Sequence, residues 1–304
     1  MGETPTQAKK VIMITTHDML WGVVLPFLLS AILVPLSAFP RRGPRVTSAW
    51  GLAVALAGGF TLAYFGITGK LRLPPKEAEG WLPHFAMLGA LASIFASLLP
   101  RQRSLFFAYA VITVLGAMWL LLRPVETNLP KQEFFVSLGV VAAGGLVWWF
   151  ALERLATRVP GALVAAVLFI TSIATALVLM NSGTQRFGQL SGSVAVVLAA
   201  ALLLSWWLRL TASGGAVVVS AVLLPGLIVA GHFYAEVTTP HALILAAAPI
   251  SAWLGQLPGI RSRRRLSYTI SLVAVLAVLT VVLIPTIKGL HQLYKEQTES
   301  TYYE

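Results

Sequence analysis

No cysteine occurs in the 304-residue chain. Disulfides and thiolate metal sites are therefore excluded, and the redox compartment leaves no trace in the sequence. Charge is scarce too. Only 11% of residues are Asp, Glu, Lys or Arg, against about a quarter in water-soluble globular proteins. Several enzyme signatures are missing: H-E-x-x-H, G-x-S-x-G, G-x-x-x-x-G-K-[ST] and a paired D-x-x-x-D. The serines of "GQLSGS" have no base that the sequence assigns to them. There is also no nucleic-acid motif, so the net charge of +11 reads as basic loops beside a membrane rather than as a polynucleotide surface. The ten-residue alternation of a transmembrane barrel is absent as well.

What the chain does have is apolar residues, 57% of the total. They fall in runs of about 20, the length that crosses a hydrocarbon core. The fold class is therefore all-α: a polytopic helical membrane protein whose surroundings are the lipid bilayer. Ten spans are expected, over residues 19–39, 48–68, 81–99, 104–122, 134–152, 161–180, 190–208, 215–235, 241–257 and 266–287. Short connections rich in Pro, Gly and Arg join them, so residues 19–287 form one membrane domain. Residues 1–18 and 288–304 are polar tails. The apolar stretch near the start is longer than a signal-peptide core and reads as a retained first span. All nine tryptophans fall near span ends, where an indole ring meets lipid and its N–H stays hydrogen-bonded.

Orientation follows from the connections. The odd-numbered ones hold twelve arginines, among them Arg41, Arg101, Arg158, Arg209 and Arg261, against one acid, Glu153. The other side carries ten Lys or Arg and the remaining ten acids. Basic residues resist translocation, which places the odd connections in the cytoplasm and both tails outside, in a bacterial inner membrane. Two stretches also resemble each other: "PHFAMLGALASIFASLLP" from Pro83 and "PHALILAAAPISAWLGQLP" from Pro240. The spans that follow them end with the same spacing, Arg103 to Pro124 and Arg264 to Pro285. Duplication would relate spans 1–4 to spans 7–10 as parallel repeats. Convergence of apolar helices on few residue types accounts for the same likeness.

Titratable groups gather in "AGHFYAEVTTPH". His232 and Glu236 share one face of span 8, and His241 opens span 9 after the turn at Pro240. With His84 at the start of span 3, and His17 beside Asp18, they make candidate ligands for a divalent metal ion or for a proton. An early start to span 1 would draw Asp18 below the headgroups, where a carboxylate is costly. The plainer account makes these side chains interfacial and keeps 11–18 as a lead-in.

Two spans carry residues that break helices near their middles. Gly58 and Gly59 lie in span 2, and Pro225 and Gly226 lie in span 8. Interrupted helices free backbone groups where transporters bind substrate, while ordinary membrane helices use the same residues for kinks and close packing. The polar connection with Asn181 and Gln185 suits a pore mouth. Elsewhere no span centre carries an ionisable side chain, which disfavours a carboxylate relay. The leading functional reading is a transporter or permease for a small solute, with Gly58, Gly59, Pro225, Gly226, Asn181 and Gln185 along its path. A membrane-embedded scaffold or complex subunit is the alternative, and a metal-dependent membrane enzyme is third. Protein partners and oligomeric state leave no mark in the sequence.

Overall fold

Hydrocarbon offers no hydrogen-bond partner to a peptide group, so the backbone of such a chain must satisfy itself within helices. The computed structural model describes residues 16–38, 49–75, 77–98, 103–208 and 215–301. Helix accounts for 90% of these, and none lies in a strand.

Among the described residues every segment expected to span is helical but for the last residue of two of them, Ala235 and Leu257. The first comprises α1 (Thr16–Met19), a π turn (Leu20–Val24) and α2 (Leu25–Ala38). The widened turn ends two residues before Pro26, whose missing N–H already breaks the regular ladder there. There follow α3 (Ala49–Thr68), α4 (Trp81–Leu98), α5 (Arg103–Leu122), α6 (Lys131–Ala156) and α7 (Gly161–Asn181). The chain continues through α8 (Gln185–Leu208), α9 (Gly215–Tyr234), α10 (Thr239–Ser251), α11 (Pro258–Arg261) and α12 (Arg264–Thr301). Among the described residues seven helices, α3, α5, α6, α7, α8, α9 and α12, are long and apolar enough to cross a membrane. The helical, many-spanning class holds, while seven such helices stand where ten spans were expected.

Several boundaries differ from expectation: α6 is longer at both ends, and α8 opens earlier, at Gln185. The ninth segment is α10, only 13 residues long, extended by a 3-10 turn over Ala252–Gln256. Pro249, Gly255 and Pro258 limit it, since proline cannot continue a regular ladder and glycine adds no helical preference. The expected polar tail from 288 is helical as far as Thr301. Lys, Glu, Gln and Leu there are good helix formers. Residues 1–15 lie outside the described residues.

The core is built around α9. Within its span 83% of residues are buried by protein, against 22% for α6 and 28% for α12. Its sequence, GAVVVSAVLLPGLIVAGHFY, is apolar on every face, which marks a helix surrounded by other helices. α3 to α8 and α10 pack directly on it. The α7–α8 hairpin, α2 against α3 and α8, and α12 against α7 and α10 complete the bundle. Small residues permit the close approach, because apolar area alone provides no drive for association within lipid. Hydroxyls in the core return to backbone carbonyls: Thr171 to Val167, Thr175 to Thr171, and Ser191 across the hairpin to Ser172 at 2.9 Å.

Side chains from the two sets of connections meet separately. At one end Trp253 Nε1 donates to the Ala151 carbonyl at 3.1 Å, and the Arg158 guanidinium lies 4.9 Å from the Trp253 ring centre. At the other, Tyr234 Oη donates to the Leu121 carbonyl at 2.6 Å. These are called below the odd end and the even end, after the connections found there. The tryptophans conform only in part: Trp148 and Trp149 are 2% and 1% exposed, and both indole N–H groups are buried without a partner. Aromatic packing holds Trp149 instead, 5.1 Å from the Phe107 ring centre. The duplication is not displayed by the packing. α4 runs along α9, yet α10 and α3, their counterparts, share no comparable contact among the described residues.

The 3-10 turn seats on α12 through Gly255, where an added Cβ would overlap the Ser267 carbonyl oxygen and Ser271 Oγ. Ser267 and Ser271 donate to the carbonyls of Gly255 and Ala252 at 2.7 and 2.8 Å. Gly255→Ala should therefore lower unfolding stability by about 1–3 kcal/mol. Gly139→Ala, with open space around its Cβ, should be neutral or slightly stabilising. Chemical denaturation of the two variants in detergent measures the difference.

Candidate functional site

The structure uses "AGHFYAEVTTPH" to end a helix. Glu236 takes a left-handed conformation, φ 54°, at the C-terminus of α9. The Val237 N–H then returns to the Gly231 carbonyl at 3.1 Å, closing a seven-residue loop, one residue wider than the common left-handed helix cap. His232 Nδ1 lies 2.7 Å from the Val237 carbonyl. A carbonyl only accepts, so Nδ1 carries the hydrogen. Glu236 is exposed, while His232 is half-buried and turned to this cap. His84 likewise bonds its own helix start, Nδ1 to the Gly80 carbonyl at 2.9 Å. Among the described residues no three His, Asp or Glu side chains are arranged to hold a metal ion. His232, Glu236, His241 and His84 thus form no such set among the described residues, and two of them, His232 and His84, bond backbone carbonyls instead. The backbone of His17 and Asp18 lies in α1; their side chains fall outside the described residues.

The residues expected along a solute path sit at helix contacts. α3 and α9 run through Gly58, Gly59, Pro225 and Gly226 without a break, unlike the interruptions expected. A Cβ at Gly59 would come 2.6 Å from Val197 Cγ2, and one at Gly58 3.0 Å from Leu29 Cδ2. Gly226 meets the end of Leu82, and Pro225 is buried. Glycine persists in the helices because lipid supplies no alternative partner for its peptide groups. At the even end, Asn181 closes α7 beside Gly289, and Gln185 opens α8.

One residue beyond Gln185 lies the most concentrated polar site among the described residues. Arg186, in the first turn of α8, reaches two carboxylates from the connection before α4. Its Nη2 is 2.8 Å from Glu77 Oε2, and its Nη1 is 3.1 Å from Glu79 Oε1. The guanidinium also lies 5.8 Å from the ring centre of Tyr64 on α3. Gly80 admits this arrangement, since a Cβ there would stand 3.1 Å from Tyr64 Oη and 2.8 Å from Pro75 Cβ. A cation at a helix N-terminus opposes the helix dipole, and the two acids offset that cost.

The two carboxyls are not equivalent. Burial pushes Glu79 above the ordinary glutamate value, against the pull of Arg186. The hydrogen bond from Arg186 holds Glu77 below it, with burial opposing. One guanidinium thus serves two acids that also interact with each other, and Glu79 is the better holder of a proton. The Arg186 Nε donor is buried and has no partner. A cavity of about 50 Å³ adjoins the site, bordered by Tyr64, Lys70, Arg72 and Glu77. Chemically the cluster can clasp the second connection to α8, and a proton on Glu77 can loosen it. Sequence reading missed Glu77, Glu79 and Tyr64, which look like ordinary loop acids and an interfacial tyrosine. The one signal was Arg186, the lone cation of its connection.

Comparison with protein-family models, with curated proteins and with solved structures gives no match. The chemistry of the site rests on its own geometry.

The pH dependence has a definite sign. Glu77, with its lowered pKa, adds stability above the ordinary glutamate range, and this is lost as pH falls through the lowered value. Glu79, with its raised pKa, favours the folded state at acid pH, and that advantage is lost as pH rises through the raised value. Thermal melts of Glu77→Gln should therefore show a deficit at neutral pH that fades on acidification. Glu79→Gln should gain on the parent protein as pH rises above the ordinary glutamate range.

Proposed function

We propose that the protein is a transporter-type membrane protein for a small solute, held shut at its even end by the clasp of Glu77, Glu79 and Arg186. The clasp carries this reading. It ties the connection between α3 and α4 to the start of α8, segments that must part for the even end to open. Protonation of Glu77, whose carboxylate the clasp holds charged through Arg186, can release such a lock. Gln185 and Asn181 would lie on the solute route at that end, and the unpartnered Arg186 Nε offers a donor to a polar solute. Opening would part α3 and α9 from their neighbours at Gly58, Gly59, Pro225 and Gly226. With the arginine-rich odd end in the cytoplasm, the clasp faces outward from a bacterial inner membrane.

A second reading, a scaffold or complex subunit, is favoured by the filled contacts at Gly59 and Gly226. Uptake separates the two. Proteoliposomes given an isotope-labelled metabolite extract should accumulate at least one solute saturably above empty liposomes. Arg186→Ala should abolish that accumulation. Absence of any accumulated solute would overturn the transporter reading and leave the scaffold.

The lack of native cysteine makes orientation directly testable. Asn128→Cys, exposed at the even end, should react with an impermeant maleimide on intact cells. Gly259→Cys, exposed at the odd end, should react only after the cells are opened.

A further inference from the structure

The odd end holds a much larger cavity, about 950 Å³, between the starts of α7 and α12 and the end of α8. Arg158, Arg261 and Arg264 line it, and no carboxylate is among its lining residues. Two of these cations are positioned by neutral rings. Arg158 lies over Trp253 at 4.9 Å, and Arg264 Nε donates to Tyr268 Oη at 2.8 Å. Neither contact cancels charge. Glu153 is the single acid of this end, so it neutralises at most one of the arginines there.

Most of the remaining wall is apolar, with Leu163, Leu202 and Leu272 forming part of it. Ser205 also lines the cavity; it is 5% exposed, and its buried hydroxyl has no hydrogen-bond partner. Trp206, which lines the cavity, is 80% exposed. In a bilayer such a side chain meets lipid, so the cavity opens toward lipid beside its charged end. A volume near the upper end of small-molecule sites is far larger than a free phosphate fills. Basic pockets between membrane helices are suited to anionic headgroups.

We propose that this cavity binds one anionic phospholipid, its phosphate among Arg158, Arg261 and Arg264 and the first part of an acyl chain along Leu202 and Leu272. The Ser205 hydroxyl supplies a donor to the headgroup or its ester. This site stands whether or not the protein moves a solute, since it lies at the opposite end from the clasp.

The test uses the full chain, delipidated in an uncharged detergent. Phosphatidylglycerol, phosphatidylcholine, diacylglycerol and inorganic phosphate are each titrated while thermal unfolding and retained lipid are measured. Phosphatidylglycerol should raise the melting temperature and stay bound at one molecule per chain, because binding to the native state alone stabilises it. Arg158→Gln/Arg264→Gln should weaken its binding at least about tenfold. Ala166→Phe, which fills the wall without touching charge, should abolish retention, and Gly139→Ala should leave it intact. Equal protection by phosphatidylcholine or diacylglycerol would reduce the site to ordinary lipid contact. Equal protection by inorganic phosphate would make it a site for a soluble anion. Either result, or unchanged binding in both the arginine pair and Ala166→Phe, overturns the proposal.

Discussion

α9 has almost no surface left for lipid, and the rest of the bundle is organised by that fact. Inside a hydrocarbon layer the burial of apolar side chains does not favour one helix pair over another, because lipid tails are equally apolar. Association then depends on how closely helices approach and on the few polar bonds they exchange. Valine, alanine, glycine and serine along α9 allow α3 to α8 and α10 to pack directly on it. The same demand explains Gly59 against Val197 and Gly226 against Leu82. These glycines serve contact between helices.

With the centre committed to packing, ionic chemistry is displaced to the two ends, and the ends differ in kind. The even end pairs charges: one guanidinium, two carboxyls and a tyrosine ring are drawn from three segments. Such a cluster is cohesive, and its strength depends on proton occupancy. The odd end concentrates charge of one sign around open volume, with aromatic rings orienting the cations instead of acids neutralising them. Paired charge closes a surface, whereas unpaired charge beside an apolar wall invites an amphiphilic anion. The arginines that line the cavity belong to the same basic bias that the sequence shows in the odd connections.

Much of the architecture was legible in the chain, because a helix in lipid is a local structure. Runs of about 20 apolar residues predict helices, and the start of α4 at Trp81 and of α7 and α9 at Gly161 and Gly215 coincide with the segments read from hydropathy. Local grammar fails where a long-range contact intervenes. Trp148 and Trp149 look like headgroup anchors but are enclosed by protein. Histidines spaced like ligands are held by their own helix ends, His232 on Val237 and His84 on Gly80.

By itself, then, the sequence determined the helical class, the alternation of the chain between two ends and the basic character of one of them. Each follows from local apolarity and from charge counts, which do not depend on which helices touch. Only the tertiary structure decided that α9 is central, that Glu77 and Glu79 meet Arg186, and that three arginines border one cavity. Those facts depend on which distant segments approach within a few ångströms. Small residues and side-chain shape decide that approach, and apolar helices that look alike in composition differ in both.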